Sequence, residues 1–372
     1  MQCVTPMIRR YKKSNYKDGK IIPRSEIMDG LLNHDNNEIR HIIKDLNNYN
    51  NIHDIDDMYE IIPCNHCFAC NLNYSAEWAT RCMLELENHP KNTCWWITLT
   101  YDDEHLPIYE SFKLETKNIY DDGTEKIETQ YYYNDGTWTG GTLEPDHVTQ
   151  FIDTIRHHYK KKGVDNIKYF YCGEYGGETK RSHYHIILFG VPFNVNNFYD
   201  CHVDGKFYKQ HWKSKELDKF WKYGMHEICE LEWSNAAYTT RYCMKKLTTE
   251  PKSEWYYASQ GKIPEFVRMS KGIGFTYYEQ NKDEIYKTDS IIMKTVKGNT
   301  GAVKPPKAFD RKLEQQDPER YDKIKKHRKE IAQRAYNNDI KNNRQDDYSK
   351  LLLKAENVIL KASQLPRDGD FG

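Results

Sequence analysis

The sequence predicts an α+β fold: a central antiparallel sheet of about five strands flanked by helices, with a cysteine-rich region before it and a helical tail after it. Three observations carry this. Strand-like runs rich in aromatic and β-branched residues occur at residues 95–101, 168–175, 183–189 and 225–231. They arrive as hairpins, not as strand–helix–strand repeats. Helix signals fall between them, and no Gly-x-x-x-x-Gly-Lys-Ser/Thr phosphate loop accompanies them, so a fused nucleotide-driven motor is not expected.

In chain order, residues 1–60 are polar and rich in Asn and Asp, an arm expected to pack onto the cysteine cluster. Residues 61–94 hold Cys64-x-x-Cys67-x-x-Cys70 and then a helix over residues 74–88, with Tyr74, Trp78, Cys82 and Leu86 spaced four apart. The first central strand sets Ile97, Leu99 and Tyr101 on one face against Trp96, Thr98 and Thr100 on the other. The Thr98 and Thr100 hydroxyls are candidate DNA contacts, although strand propensity alone explains threonine there. Residues 109–142 form a polar excursion with a strand-like stretch at 126–133 and a turn at Asn134-Asp135-Gly136. Glu144-Pro145-Asp146 opens a helix reaching about residue 162. Ser234-Asn235 offers a cap for a helix over 236–246. The expected domains are therefore 1–94, 95–300 with its insertion, and a charged helical tail over 301–372.

Two of these elements carry chemistry. On the strand that begins His183-Tyr184-His185, period-two alternation puts both histidines on one face. Two imidazoles so placed can hold one divalent ion, yet taken alone His-x-His is more often an idle pair at a strand end. On the helix, Tyr238 and Tyr242 stack one turn apart, with Arg241, Lys245 and Lys246 nearby. Taken alone, those tyrosines read as packing residues in a chain with 29 of them. The strand before the histidines ends at Glu174, a third ligand candidate whose carboxylate favours Mg²⁺ or Mn²⁺; Glu178 on the turn is the weaker choice.

Jointly these motifs resemble the HUH-type rolling-circle replication initiators, and most closely those of the gokushovirus-type microviruses. The likeness is carried by Ile62-Pro63-Cys64-Asn65-His66-Cys67-Phe68-Ala69-Cys70, Ile97-Thr98-Leu99-Thr100-Tyr101-Asp102-Asp103, Cys172-Gly173-Glu174-Tyr175-Gly176, the His and Tyr motifs, and Met269-Ser270-Lys271-Gly272-Ile273-Gly274. It spans roughly residues 60–290. Ser182 stands where the family usually has Pro, and the stretch 109–142 is an insertion. The resemblance implies an HUH endonuclease fold and a metal-dependent nickase. In it Tyr238 and Tyr242 are nucleophiles, Lys245 offsets negative charge, and His183, His185 and Glu174 hold Mg²⁺ or Mn²⁺. Arg241, Lys246, Thr98 and Thr100 would contact DNA. It also implies single-stranded and origin DNA, a host polymerase and a host helicase as partners, acting in the cytoplasm of a bacterial host. Rival readings are a plasmid initiator or transposase of the same superfamily, and a non-catalytic zinc-bearing DNA-binding protein.

The cysteines answer a separate question. The start Met1-Gln2-Cys3 leads into Met7-Ile8-Arg9-Arg10 without an apolar leader core, and no run approaches membrane-spanning length, so reduced thiols are expected. Cys64, Cys67 and Cys70 leave a tetrahedral Zn²⁺ one ligand short. Cys3 is the fourth candidate, since the chain after it resembles the family's amino-terminal arm, with His66 behind it. The other reading is three small residues at a helix start. Lys+Arg and Asp+Glu each number 55, so net charge gives no argument for DNA binding. That must come from local patches such as Lys160-Lys161-Lys162 and residues 323–329. Mean hydropathy of −0.92 points to polar insertions around a modest core.

Overall fold

In the computed structural model, residues 7–12, 20–21, 57–62, 68–119, 125–138, 140–176, 179–203, 210–246, 256–294 and 300–341 are described. The elements run β1 (Met7–Lys12), β2 (Lys20–Ile21), β3 (Asp57–Ile62), α1 (Phe68–Leu86), β4 (Cys94–Tyr101), β5 (Ser111–Ile119), β6 (Glu125–Tyr133) and α2 (Pro145–Lys160). They continue with β7 (Lys168–Tyr175), β8 (Ser182–Phe189), β9 (Phe198–Val203), β10 (Gln210–Ser214), α3 (Leu217–Phe220), β11 (Gly224–Glu230) and α4 (Trp233–Lys246). The last are β12 (Phe266–Met269), α5 (Phe275–Thr288), β13 (Ile291–Lys294), β14 (Thr300–Val303), α6 (Lys307–Gln316) and α7 (Pro318–Lys341).

Two compact units emerge: residues 74–306 with 366–372, and 1–73 with 307–365. In the smaller unit β1, β2 and β3 form an antiparallel sheet in the order β2-β1-β3, and Arg328 on α7 grips the Asp310 carboxylate on α6 through both guanidinium nitrogens, at 2.6 and 3.1 Å.

The larger unit is built on a seven-stranded sheet ordered β12-β7-β8-β4-β11-β10-β9, antiparallel throughout. The expected α+β class holds, with a correction: seven strands, not about five. The extra strands are β9, β10 and β12, edge or near-edge elements. β9 is almost wholly exposed and β12 is four residues long, so neither carries the apolar alternation that marks a central strand. The insertion is the separate hairpin β5–β6, and Asn134-Asp135-Gly136 does turn the chain after β6, with Asn134 Oδ1 accepting from the Gly136 N–H at 2.9 Å. Two helices begin earlier than the sequence suggests. α1 starts at Phe68, and α4 starts at Trp233, where Asn235 folds back so that its Oδ1 accepts from the Glu232 N–H at 2.8 Å.

Alternation along each strand splits the sheet into two faces. On one, Ile97, Leu99, Tyr101, Tyr171, Tyr184, Ile186, Leu188 and Ile228 bury against Val148, Phe151, Ile152 and Ile155 of α2. The α2 residues recur every three or four positions, the stripe a core-facing helix requires. On the other face Trp96, Phe170, Cys172, Ile187, Phe189 and Cys229 meet Trp78 and Cys82 of α1 and Ala236 and Tyr238 of α4. This second face is apolar only along part of its length. Toward the start of β8 and the end of β7 it turns polar, and the candidate site lies there.

The motif at residues 269–274 has a structural task. Glu85 on α1 is buried, and it accepts from Lys168 Nζ at 2.8 Å and from the Gly274 N–H at 2.6 Å, while Lys168 also donates to the Gly272 carbonyl at 3.2 Å. Gly274 itself has φ +79°, a left-handed conformation suited to glycine. The pair thus fastens α1 and β7 to the turn that launches α5.

Candidate metal centre and tyrosine helix

Antiparallel pairing of β7 with β8 sets Glu174 opposite His183, and β8 with β4 sets His185 opposite Thr98 and His183 opposite Thr100. The spacing of the two histidines therefore does what period two predicts, and the hairpin delivers the carboxylate beside them. His183 Nε2 lies 2.5 Å and His185 Nε2 2.8 Å from the same oxygen, Glu174 Oε1. All three residues offer ligand atoms within 4.8 Å of one another.

The far sides of both rings are held. His183 Nδ1 lies 3.2 Å from the Arg181 carbonyl, and His185 Nδ1 lies 3.0 Å from Thr98 Oγ1. A carbonyl only accepts, so Nδ1 of His183 carries the hydrogen, and a neutral ring then presents its Nε2 lone pair to the carboxylate. A lone pair facing an ionised oxygen at that distance is repulsive without a proton or a cation shared between them. Imidazoles whose outer N–H is tied to a carbonyl or hydroxyl, with inner nitrogens converging on a carboxylate, are the arrangement of metal-binding histidines. The donor set fits a divalent ion held by two nitrogens and one oxygen.

Electrostatics agree with an anionic centre. Burial pushes the Glu174 carboxyl up, but the flanking imidazoles outweigh it and hold the group down at about 2. Burial pushes His185 below the ordinary histidine value, opposed by Glu174. An imidazole kept neutral has a lone pair to give.

Tyr238 joins this group from α4. It is buried, and its hydroxyl donates to Glu174 Oε1 at 3.5 Å. Its ring stands edge-on to His185, with centroids 5.1 Å apart. Arg241 lies over the Tyr238 ring at 5.6 Å. Residues 242–246 continue the helix, so Tyr242 comes one turn after Tyr238, with Lys245 and Lys246 at its end; their side chains lie outside the described residues. Thr98, expected at DNA, has its hydroxyl on His185, while Thr100 sits half-buried beside His183.

Trp96 belongs to the site and was not singled out from sequence, although its alternation with Thr98 put it on the correct face. Its ring stacks on His185 at 4.9 Å with planes 9° apart, and its Nε1–H donates to Thr239 Oγ1 on α4 at 2.8 Å. One side chain thus fixes both the metal-ligand ring and the tyrosine helix. Of the cysteines, Cys70 is buried in the first turn of α1, while Cys3, Cys64 and Cys67 lie outside the described residues, as do His66 and Glu178. No described helix is long and apolar enough to cross a membrane.

Comparison with known proteins assigns the chain. The family model for replication-associated protein ORF2 matches residues 94–247, which run from β4 through α4 and so contain the histidines, Glu174 and both tyrosines. Replication-associated protein ORF2 of Spiroplasma virus 4 is 37% identical over 276 residues, covering 74% of this chain and 75% of that protein. The chain belongs to the replication-associated proteins of gokushovirus-type microviruses. Within this family it is also similar to replication-associated protein ORF4 of Chlamydia phage 1, 25% identical over 251 residues, 64% of this chain and 53% of that one. Replication-associated protein VP4 of Bdellovibrio phage phiMH2K is 24% identical over 276 residues, 73% of this chain and 74% of that one. No solved structure matches.

Proposed function

We propose that this replication-associated protein starts rolling-circle synthesis by nicking one DNA strand and remaining attached to it. The observation that carries the reading is the meeting of Tyr238 with Glu174, His183 and His185 at one point of the sheet. Tyrosine is a poor nucleophile at its free pKa of about 10, so a nicking tyrosine belongs beside an electrostatic centre, not in plain core. A Mg²⁺ or Mn²⁺ held by His183, His185 and Glu174 would supply Lewis acidity at the scissile phosphate.

The phenol oxygen attacks phosphorus, the bond to the 3′ oxygen breaks, and the phenol proton is lost as the departing oxygen gains one. The products are a 5′-phosphotyrosine and a free 3′-hydroxyl that a host polymerase can extend behind a host helicase. Because the phosphoester is retained, the reverse attack by a 3′-hydroxyl rejoins the displaced strand without nucleotide hydrolysis. Tyr242, one turn along, serves as the second nucleophile, with Lys245 offsetting charge and Arg241 and Lys246 contacting the strand. The HUH assignment of the sheet belongs to the same reading. The cysteine spacing supports a structural Zn²⁺ on Cys64, Cys67, Cys70 and Cys3, checked by elemental analysis of freshly purified reduced protein.

The test is incubation with single-stranded oligonucleotide pools spanning the origin, plus Mn²⁺, then denaturing electrophoresis and peptide mapping. A covalent band mapping to Tyr238 or Tyr242 is expected, and the Tyr238→Phe/Tyr242→Phe variant should give none. A folded, metal-loaded protein that binds the DNA yet yields no adduct would leave it a non-catalytic DNA-binding protein.

A further inference from the structure

A second trio of metal-ligand side chains stands on the same face of the sheet. His202 on β9, His211 on β10 and Glu227 on β11 have ligand atoms within 4.8 Å of one another. The first two are direct partners across the β9–β10 ladder, with rings stacked at 5.5 Å. Each faces one oxygen of the carboxylate: His202 Nε2 is 3.6 Å from Glu227 Oε1, and His211 Nδ1 is 3.5 Å from Oε2.

Those separations are long for hydrogen bonds. They match a different geometry: two ligands about 2.1 Å from one ion, at the tetrahedral angle, lie about 3.4 Å apart. A second observation points the same way. His211 Nδ1 is buried, and among the described residues no hydrogen bond reaches it. A buried ring nitrogen left so costs about 1–3 kcal/mol, which a bound cation would offset. The site also has an opening, because His202 and Glu227 are half-exposed while His211 is not.

The trio is distinct from the first centre yet adjacent to it. Glu227 is in register with Thr98 on β4, and Thr98 with His185 on β8. With neighbouring strands about 4.8 Å apart, two strands of separation put Glu227 about 10 Å from His185 along one row of the sheet. Trp96 stands between them, stacked on His185 and edge-on to His211 at 6.0 Å.

We infer that His202, His211 and Glu227 form a second divalent-cation site, suited to the imidazole-binding ions Zn²⁺, Co²⁺ and Ni²⁺, about two strands from the first along the same sheet face. It stands on its own donors and does not depend on the nicking reading.

The test is equilibrium dialysis of the full chain against Co²⁺ after chelator treatment, with metal and protein quantified. Cobalt held by cysteines is common to all variants and cancels in the differences. His202→Gln/His211→Gln should bind one ion fewer than the wild type, His183→Ala/His185→Ala should also bind one fewer, and the combined variant two fewer. Glu227→Gln, which keeps side-chain shape, should weaken one ion at least tenfold and leave the other unchanged, so the site remains testable even if the double variant folds poorly. Wild-type stoichiometry and affinity in both His202→Gln/His211→Gln and Glu227→Gln would overturn the site.

Discussion

Replacing Thr98 by Val asks whether that hydroxyl serves DNA or the metal ligand. Valine keeps the shape and the strand propensity and removes only Oγ1, which lies 3.0 Å from His185 Nδ1. His185 is buried against Trp96, so its Nδ1–H has no water to turn to. An unmet buried donor costs about 1–3 kcal/mol. Charged against metal binding, at about 1.4 kcal/mol per factor of ten, that is about a 10- to 100-fold loss of affinity, the range found when the outer partner of a metal-bound histidine is removed. Titration calorimetry with Mn²⁺ reads it directly. Nicking measured across Mn²⁺ concentrations separates the two roles, since a positioning defect raises the metal requirement and recovers at saturation. A lost DNA contact would instead raise the KM for oligonucleotide at all metal concentrations. Mn²⁺ affinity within twofold of the wild type would refute the positioning role.

The same geometry sets the outcome of three other changes. Trp96→Phe removes the Nε1–H donor to Thr239, and should lower the thermal midpoint and slow adduct formation at Tyr238, read by melting and single-turnover kinetics. Glu85→Gln strands Lys168 without its counter-charge in the interior and should cost about 3 kcal/mol by denaturant unfolding. Burial raises the Glu85 carboxyl, but His89, Lys168 and the Gly274 N–H outweigh it and leave the group depressed. Its stabilisation is therefore complete above the ordinary carboxylate range, near pH 4–5, and is lost as pH falls through the depressed value; the Gln variant should show a shallower loss there. Gly224→Ala should destabilise by more than about 1 kcal/mol, because φ is +146° and the new Cβ would stand 2.3 Å from the Asp102 nitrogen.

Legibility in the sequence tracked burial. β8 and β4 were readable because both faces of a central strand are constrained, one by Ile186 and Leu188 and the other by His185 and Ile187. Glu174 was reachable because a tight hairpin fixes its register against His183. By contrast β9 and β10 lie at an edge where solvent accepts almost any side chain, and the turn between them separates His202 from His211 by a stretch with no apolar signature. Their meeting with Glu227 depends on strand order, which no local pattern encodes. The role of Trp96 was half visible: alternation gave its face, but only the arrival of α4 supplies Thr239.

The split of β4 into two faces has an evolutionary reading. Ile97, Leu99 and Tyr101 answer to α2 and the main core, whereas Trp96, Thr98 and Thr100 face the histidines and the helix that carries Tyr238. Selection for a protein that persists in the cell and selection for one that replicates a genome therefore fall on alternate residues of the same eight-residue strand. A saturation library across β4 would show a sawtooth: odd positions tolerate any substitution that keeps apolar volume, and even positions fail in replication while the protein still accumulates. Phage lineages adapting to new hosts are then free to drift at one set of positions while the other, a single residue away, stays fixed.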